Sequence, residues 1–346
     1  MQRYIYELFL KKSFDEEKLL YLLNNHYKYS NYLFEKSNLL QHKYYGNKIF
    51  VRGLIEFTNY CKNNCFYCGI RKDNNNLTRY RLCKDEILFC CNEGFNAGIR
   101  SFVLQGGEDL SYTVDEIADI VRVIKSAHPG VAITLSFGEH DKKAYKTWFD
   151  SGADRYLLRH ESANFYHYRM LHPKSMSFKN RMRCLLNLKE IGYQVGTGFM
   201  VGSPYQTYEN IVEDLKFIYK FKPHMVGIGP YIPHNDTPFK MMEQGSLQLT
   251  FILIAIIRLM LPETLIPATT AVASLSKNSI YNAVLAGANV IMPNITPMEV
   301  KKQYSIYNNK FYTKMNIREY LLFLKNRMDK IGYKLAFERG DSKMKN

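Results

Sequence analysis

Residues 49–71 read IFVRGLIEFTNYCKNNCFYCGIR, an apolar run over 49–57 followed at once by three closely spaced cysteines. A largely apolar, β-branched run of this length, broken only by Arg52, Gly53 and Glu56, reads as a strand buried on both faces, as in a parallel sheet. Working outward, seven more such runs follow at 101–105, 131–136, 155–159, 194–201, 225–229, 265–270 and 289–292. Stretches of helical period separate them. Val114, Ile117, Ala118, Val121 and Ile124 mark one apolar helix face, and Ile211, Leu215 and Ile218 mark another. Eight βα units between residues 49 and 293 predict the α/β class, specifically a (β/α)8 TIM barrel, which typically takes ~250 residues. A doubly wound sheet is the alternative, but no Pro/Gly-rich linker divides the chain after the fourth run.

The flanks of the barrel read as helical. Ser13 and Glu16 have the spacing of a capping box before Leu19, Leu20, Leu22 and Leu23, so residues 1–48 form an N-terminal helical layer. Residues 294–346 form a C-terminal extension that closes the barrel, with a helix over 316–333 and a frayed tail from Gly340. The most apolar stretch, 249–261, is too short for a membrane span, carries Thr250 and Arg258, and stops at Pro262. It reads as a buried helix, and no membrane association is expected.

The chain has 346 residues, 46% of them apolar and 23% charged, which excludes disorder and small disulfide scaffolds. Lysine plus arginine number 47 against 32 aspartate plus glutamate, a net charge of +15 that suits an anionic substrate or an acidic partner. A nucleic-acid-modifying enzyme would also suit that balance, but no appended basic binding module is visible, so no nucleic-acid partner is expected. Seven cysteines is an odd count, and residues 1–15 lack the apolar core of a signal peptide. A reducing, cytoplasmic location is expected, with thiols free for metal chemistry.

Cys61, Cys65 and Cys68 form C-x3-C-x2-C. Three thiolates on one loop suit an iron–sulfur cluster, which normally takes four, so one iron is left open for another ligand. The competing reading is a zinc knuckle completed from elsewhere, for instance by Cys83, although the second cysteine pair usual for zinc is missing. Other residues with chemistry sit at the ends of the runs, where a barrel gathers its active site: Gln105, Ser136, Arg159, Met200, Thr270 and Met292.

With Tyr67 before its last cysteine, the motif resembles the signature of the radical S-adenosylmethionine (SAM) superfamily. Gly106-Gly107-Glu108 resembles the GGE segment of that superfamily, and 198–202 (GFMVG) its glycine-bearing strand against adenine. Within the superfamily, VRGLIEFTNYCKNNCFYCGIR, LQGGED, LLRHESAN, IPATTAV and VIMPNITP resemble the HydE family of iron-only hydrogenase maturases over residues 50–307. The resemblance implies one 4Fe-4S cluster on the three cysteines, with SAM on its open iron and reductive cleavage to a 5′-deoxyadenosyl radical. It implies that Tyr67, Gly106, Gly107, Glu108, Ser136, Glu161, Arg181 and Met200 hold SAM. It also implies a substrate cavity lined by Arg52, Gln105, Thr134, Arg159, Thr269, Thr270, Met292, Tyr304 and Tyr307. The implied substrate is a cysteine-bound iron carbonyl cyanide synthon, and the implied partners are a hydrogenase-maturation scaffold, sister maturases and a ferredoxin or flavodoxin reductant. A free amino acid, as in the methylornithine synthases, is the alternative substrate, and a non-catalytic Fe–S scaffold the alternative role. Some family members carry a second cluster on C-terminal cysteines, but none follows Cys184 in this chain.

Overall fold

Side chains alternate along the first stave. Ile49, Val51, Ile55 and Phe57 join the main apolar core, whereas Phe50 joins a small separate cluster with Met225, Leu265 and Val290. Odd positions therefore face the surrounding helices and even positions the lumen of a barrel. The computed structural model describes residues 1–11, 14–276 and 278–344. Its strands in chain order are β1 (Lys48–Val51), β2 (Gly53–Thr58), β3 (Ser101–Gly106), β4 (Ala132–Ser136), β5 (Arg155–Leu157) and β6 (Gln194–Thr197). Then come β7 (Met200–Val201), β8 (Met225–Val226), β9 (Gly229–Pro230), β10 (Pro267–Ala268), β11 (Val290–Ile291) and β12 (Lys334–Ala336).

Parallel pairing runs β2-β3-β4-β5-β6-β8. The ring continues through the Met225–Leu265 bridge to β10, β11 and back to β1, with Leu54–Asn294 extending the last seam upward. All eight expected runs are staves of one closed parallel barrel. The structure adds a feature that the periodicity did not show, since β12 pairs in parallel with β1 beside the lower part of the first stave.

The N-terminal helices are α1 (Gln2–Lys11), α2 (Glu16–Asn24) and α3 (His26–Tyr45). Those of the barrel are α4 (Lys84–Asn96), α5 (Val114–Ala127), α6 (Lys142–Asp150), α7 (Phe165–Leu171), α8 (Phe178–Ile191), α9 (Tyr208–Phe221), α10 (Leu247–Met260), α11 (Thr270–Leu275) and α12 (Ser279–Leu285). Short α13 (Met298–Lys301) and α14 (Ile317–Asp329) complete the chain. Ser13 lies outside the described residues; the residue seen capping α2 is Asp15, which accepts from Lys18 N at 3.0 Å. On α5 the buried face is Ile117, Ala118, Ile120, Val121 and Ile124, with Val114 exposed in the first turn. The apolar stretch expected to be a buried helix is α10, clasped between the barrel and the N-terminal layer. Arg258 within it is fully buried yet gives its donors to the carbonyls of Gly287, Pro262 and Thr264 at 2.6–3.0 Å, which settles its hydrogen-bonding demand. Among the described residues no helix is long and apolar enough to cross a membrane.

The expected frayed tail is instead docked as far as Met344. Arg155, deep in the barrel, donates to Ser101 Oγ at 2.8 Å, to Arg339 O at 2.8 Å and to Asp341 Oδ1 at 2.5 Å. Gln194 Nε2 donates to the same Asp341 oxygen at 2.9 Å, and Ser342 Oγ donates to Glu263 O at 2.9 Å. A buried guanidinium without partners would cost several kcal/mol, and this tail supplies them.

Candidate active site

The loop after β2 has no regular backbone pairing, so its shape depends on side chains. Arg79 spans it, donating to Asn59 O at 2.5 Å on one side and to Ile70 O, Arg71 O and Asn74 O at 2.7–3.1 Å on the other. Asn59 Nδ2 donates to Thr78 O and Gln303 O, both at 2.8 Å. Tyr67 donates its hydroxyl hydrogen to His172 Nε2 at 3.1 Å, and His172 Nδ1 donates to Tyr168 O at 2.9 Å. Burial, helped by the Arg181 cation, pulls the His172 pKa down to about 3, so the ring is the neutral acceptor this arrangement needs. Neither Arg79 nor His172 stood out in the sequence. Both act through carbonyls or a lone pair, which leave no residue pattern to read.

Cys61, Cys65 and Cys68 open onto one cavity of about 310 Å³ at the C-terminal mouth of the barrel. All three are free thiols. Burial raises the pKa of each; in Cys65 and Cys68 proximity to the other sulfurs adds to it, and Cys68 reaches about 12. Ionising all three together requires a cation among them. Among the described residues no three His, Cys, Asp or Glu side chains converge on a point fit for a single metal ion. A cluster makes no such demand, because each thiolate takes its own iron. Cys83, considered as a fourth zinc ligand, is exposed at the start of α4, where its N–H donates to Glu86 Oε2 at 2.7 Å. It does not line the cavity. The donor set fits a three-cysteine cluster better than a zinc knuckle.

The same cavity is lined by Tyr67, Gly106, Gly107, Glu108, Ser136, Glu161, Arg181 and Met200. Gln105, Arg159, Thr269, Thr270, Met292, Tyr304 and Tyr307 line it as well. Two expected residues are elsewhere. Arg52 is fully buried lower in the barrel, where it donates to Met225 Sδ at 3.0 Å and to Gly340 O at 3.3 Å. Thr134, two residues below Ser136 on β4, is also fully buried and off the lining. Both point into the lumen, but below the cavity floor.

Opposite the cysteines, the 159–163 turn presents charge. Arg159 Nη2 donates to Glu161 Oε2 at 2.9 Å, while Arg159 Nε is buried with no partner among the described residues. Arg181 donates to Glu139 Oε1 and to Arg159 O, both at 2.5 Å. At Gly107 the chain comes so close to the cysteine loop that a Cβ would stand 2.1 Å from Tyr60 O and 2.7 Å from Cys61 Cβ. Across the mouth runs the 303–310 segment, which was expected to supply only its two tyrosines. It is tied to the cysteine loop by Gly69 N donating to Ile306 O at 2.9 Å and to β2 by a buried Lys310–Glu56 ion pair at 2.6 Å.

The family model of the radical SAM superfamily matches residues 55–218. An FeFe hydrogenase maturase subunit, HydE, of Thermotoga maritima is 44% identical over 309 residues, spanning 89% of this chain and 88% of that protein. The chain belongs to the HydE family. A 3-methylornithine synthase of Methanosarcina acetivorans is 29% identical over 78% of this chain and 75% of its own length. The crystal structure of methylornithine synthase (PylB) superposes with a TM-score of 0.79 at 25% identity, covering 97% of this chain and 94% of that one. Like these relatives the HydE-family chain is a radical SAM enzyme built on a TIM barrel, and the cavity described above lies where such barrels carry their chemistry.

Proposed function

We propose that this HydE-family enzyme holds a 4Fe-4S cluster on Cys61, Cys65 and Cys68 and SAM beside it, and acts in hydrogenase maturation on a cysteine-bound iron carbonyl cyanide synthon. Reductive cleavage of SAM to a 5′-deoxyadenosyl radical is the chemistry that this pair of groups supplies when bound. The chain's own residues position and exclude. The exposed backbone of Gly106 and Gly107 takes the SAM amino end, Glu161 the ribose hydroxyls and Arg181 the carboxylate, with Tyr67, Glu108, Ser136 and Met200 completing that wall. The 303–310 segment keeps water from the mouth.

One observation carries the choice of substrate. Arg159 keeps a buried, unpartnered N–H, and Gln105, Thr269 and Thr270 line the same cavity. An unpartnered guanidinium N–H in a cavity with further polar side chains suits a small anionic ligand, and Met292 with Tyr304 and Tyr307 gives it an apolar wall. A net charge of +15 favours anionic ligands and acidic partners such as a flavodoxin or ferredoxin reductant, sister maturases and a hydrogenase scaffold in the cytoplasm.

The test is anaerobic: reconstitute the chain with iron and sulfide, add reductant and SAM, and quantify 5′-deoxyadenosine with and without a cysteine-ligated iron dicarbonyl cyanide complex. We expect about four irons per chain and product that rises with the complex. Equal turnover without it, together with a rise on adding a free amino acid, would favour the methylornithine-synthase-like alternative. Iron that binds without any SAM cleavage would leave only a scaffold role.

A further inference from the structure

Glu161 is one of the few non-glycine residues with a left-handed backbone, at φ +63°. Such a conformation is costly for a residue with a Cβ and persists only where its surroundings over-determine it. On the lumen side it has the Arg159 contact, which ties one flexible side chain to another. Behind it is a more rigid arrangement. His160 is fully buried, and its amide N–H donates to Thr197 Oγ1 at 3.2 Å. His160 Nδ1 lies 2.9 Å from the same Thr197 oxygen, and Nε2 lies 3.2 Å from Asp214 Oδ1. A carboxylate can only accept, so Nε2 carries the hydrogen and donates to Asp214, and in the neutral ring Nδ1 accepts from the Thr197 hydroxyl. Phe217 and Phe199 close around the ring at centroid distances of 4.8 and 5.8 Å.

Asp214 comes from α9, outside the barrel, and is fully buried. Its Oδ1 accepts both from His160 and from Ala163 N, the latter at 2.5 Å, while Oδ2 has no partner among the described residues. Both bonds of this buried carboxylate therefore go to residues on either side of Glu161. Burying a carboxylate costs several kcal/mol unless its bonds are good. Thr197, at the end of β6, anchors the same turn from a third direction, and Glu161 N donates to Gly198 O at 3.1 Å, beside it.

We infer that Asp214 is a positioning residue which, through His160 and Ala163 N, holds Glu161 in its left-handed conformation and so sets the geometry with which SAM is bound. This rests on the reading above that Glu161 holds SAM. Asp214 touches neither ligand nor cavity; it acts on the turn alone. Its effect is therefore expected in SAM affinity, with little effect on cluster content.

The experiment uses the full chain, reconstituted with its cluster, as wild type, Asp214→Ala, Asp214→Asn and Thr197→Val. The readouts are iron per chain, the KM for SAM in 5′-deoxyadenosine formation, and the change in the reduced cluster's electron paramagnetic resonance spectrum on adding SAM. Asp214→Ala is expected to keep its iron and raise the KM for SAM about tenfold or more, the equivalent of a charge-assisted hydrogen bond. Its SAM-induced spectral change should be broadened or lost at SAM concentrations that saturate the wild type. Asp214→Asn keeps an acceptor oxygen and should recover most of the affinity. Thr197→Val removes the bond from the other side of His160, should shift the KM in the same direction, and serves where Asp214→Ala does not fold. A wild-type KM and spectrum in both Asp214→Ala and Thr197→Val would overturn the inference, as would a loss of iron in step with activity. If the wild type itself binds a cluster but cleaves no SAM, the functional reading fails first, and the inference falls with it.

Discussion

Replacing Gly107 by alanine tests how tightly the cysteine loop and the SAM wall are built against each other. The added Cβ would stand 2.1 Å from Tyr60 O, whereas carbon–oxygen contacts begin at about 3.3 Å, so the two segments must separate by about 1 Å. The obstruction is a backbone carbonyl, not the end of a flexible side chain, and the next atom met is Cys61 Cβ at 2.7 Å. The strain cannot be relieved without moving the first cysteine relative to the GGE segment. Overpacking of this kind costs about 1–3 kcal/mol, which a barrel of this size should survive. A displacement of about 1 Å between reacting groups can cost about a hundredfold in rate. We expect Gly107→Ala to fold, to melt slightly earlier, and to form 5′-deoxyadenosine about a hundred times more slowly than wild type at equal iron content. The control is Gly130→Ala, where φ is +85° and nothing lies within 4 Å of the new Cβ. That substitution strains the backbone by about 1–2 kcal/mol but approaches no part of the site, so it should lower the melting temperature and leave SAM cleavage at the wild-type rate. Wild-type SAM cleavage in Gly107→Ala, with normal iron, would refute the argument that close approach at this glycine sets the site's geometry.

Cys65→Ser should abolish iron binding and SAM cleavage while leaving the far-ultraviolet circular dichroism unchanged, because the loop lies outside the barrel core; a variant that still loads iron normally would refute the ligand assignment. Arg79→Ala removes the donors that fasten four loop carbonyls, so cluster retention during anaerobic dialysis should fall well below wild type while the barrel's melting temperature changes little. Arg159→Ala should slow substrate-dependent turnover more than it lowers iron loading, and loss of iron instead would make that residue structural. Asp341→Ala takes the carboxylate from Arg155, whose side chain is 2% exposed, and leaves it only Ser101 Oγ and Arg339 O; breaking a fully buried pair costs about 3–5 kcal/mol, which falls to about 2 because Asp341 itself is 37% exposed and screened. Burial works to raise the Asp341 carboxyl, but the Arg339 and Arg155 guanidiniums outweigh it and hold its pKa well below the usual carboxylate range. Its stabilisation is therefore present above the unfolded value and lost as pH falls, so urea titrations should show the gap between wild type and Asp341→Ala narrowing below about pH 4.

The staves were legible because a parallel strand buried on both faces leaves a run of apolar residues that no turn interrupts, and eight such runs separated by helical periods leave few topologies. The cysteine spacing, the GGE segment and the charged 159–161 turn were legible because they sit at strand ends. What the pattern hid were interactions made with groups that carry no identity. Arg79 binds carbonyls, Lys310 reaches back to Glu56 from a segment 254 residues away, and the tail that completes the barrel floor has a composition indistinguishable from a loose terminus. Arg52 and Thr134 were misplaced for a different reason, one that strand geometry could have corrected. Both fall at lumen-facing positions, and in a barrel that is necessary for a site residue but not sufficient, because depth matters too. At about 3.3 Å per residue, Arg52 lies about 20 Å before the strand end at Thr58, and Thr134 about 7 Å before Ser136. Gln105, Arg159 and Met292 stand at or just past the ends of their strands. The site therefore occupies the last inward position of each stave, and the charges one or more layers deeper belong to the floor that the C-terminal tail neutralises.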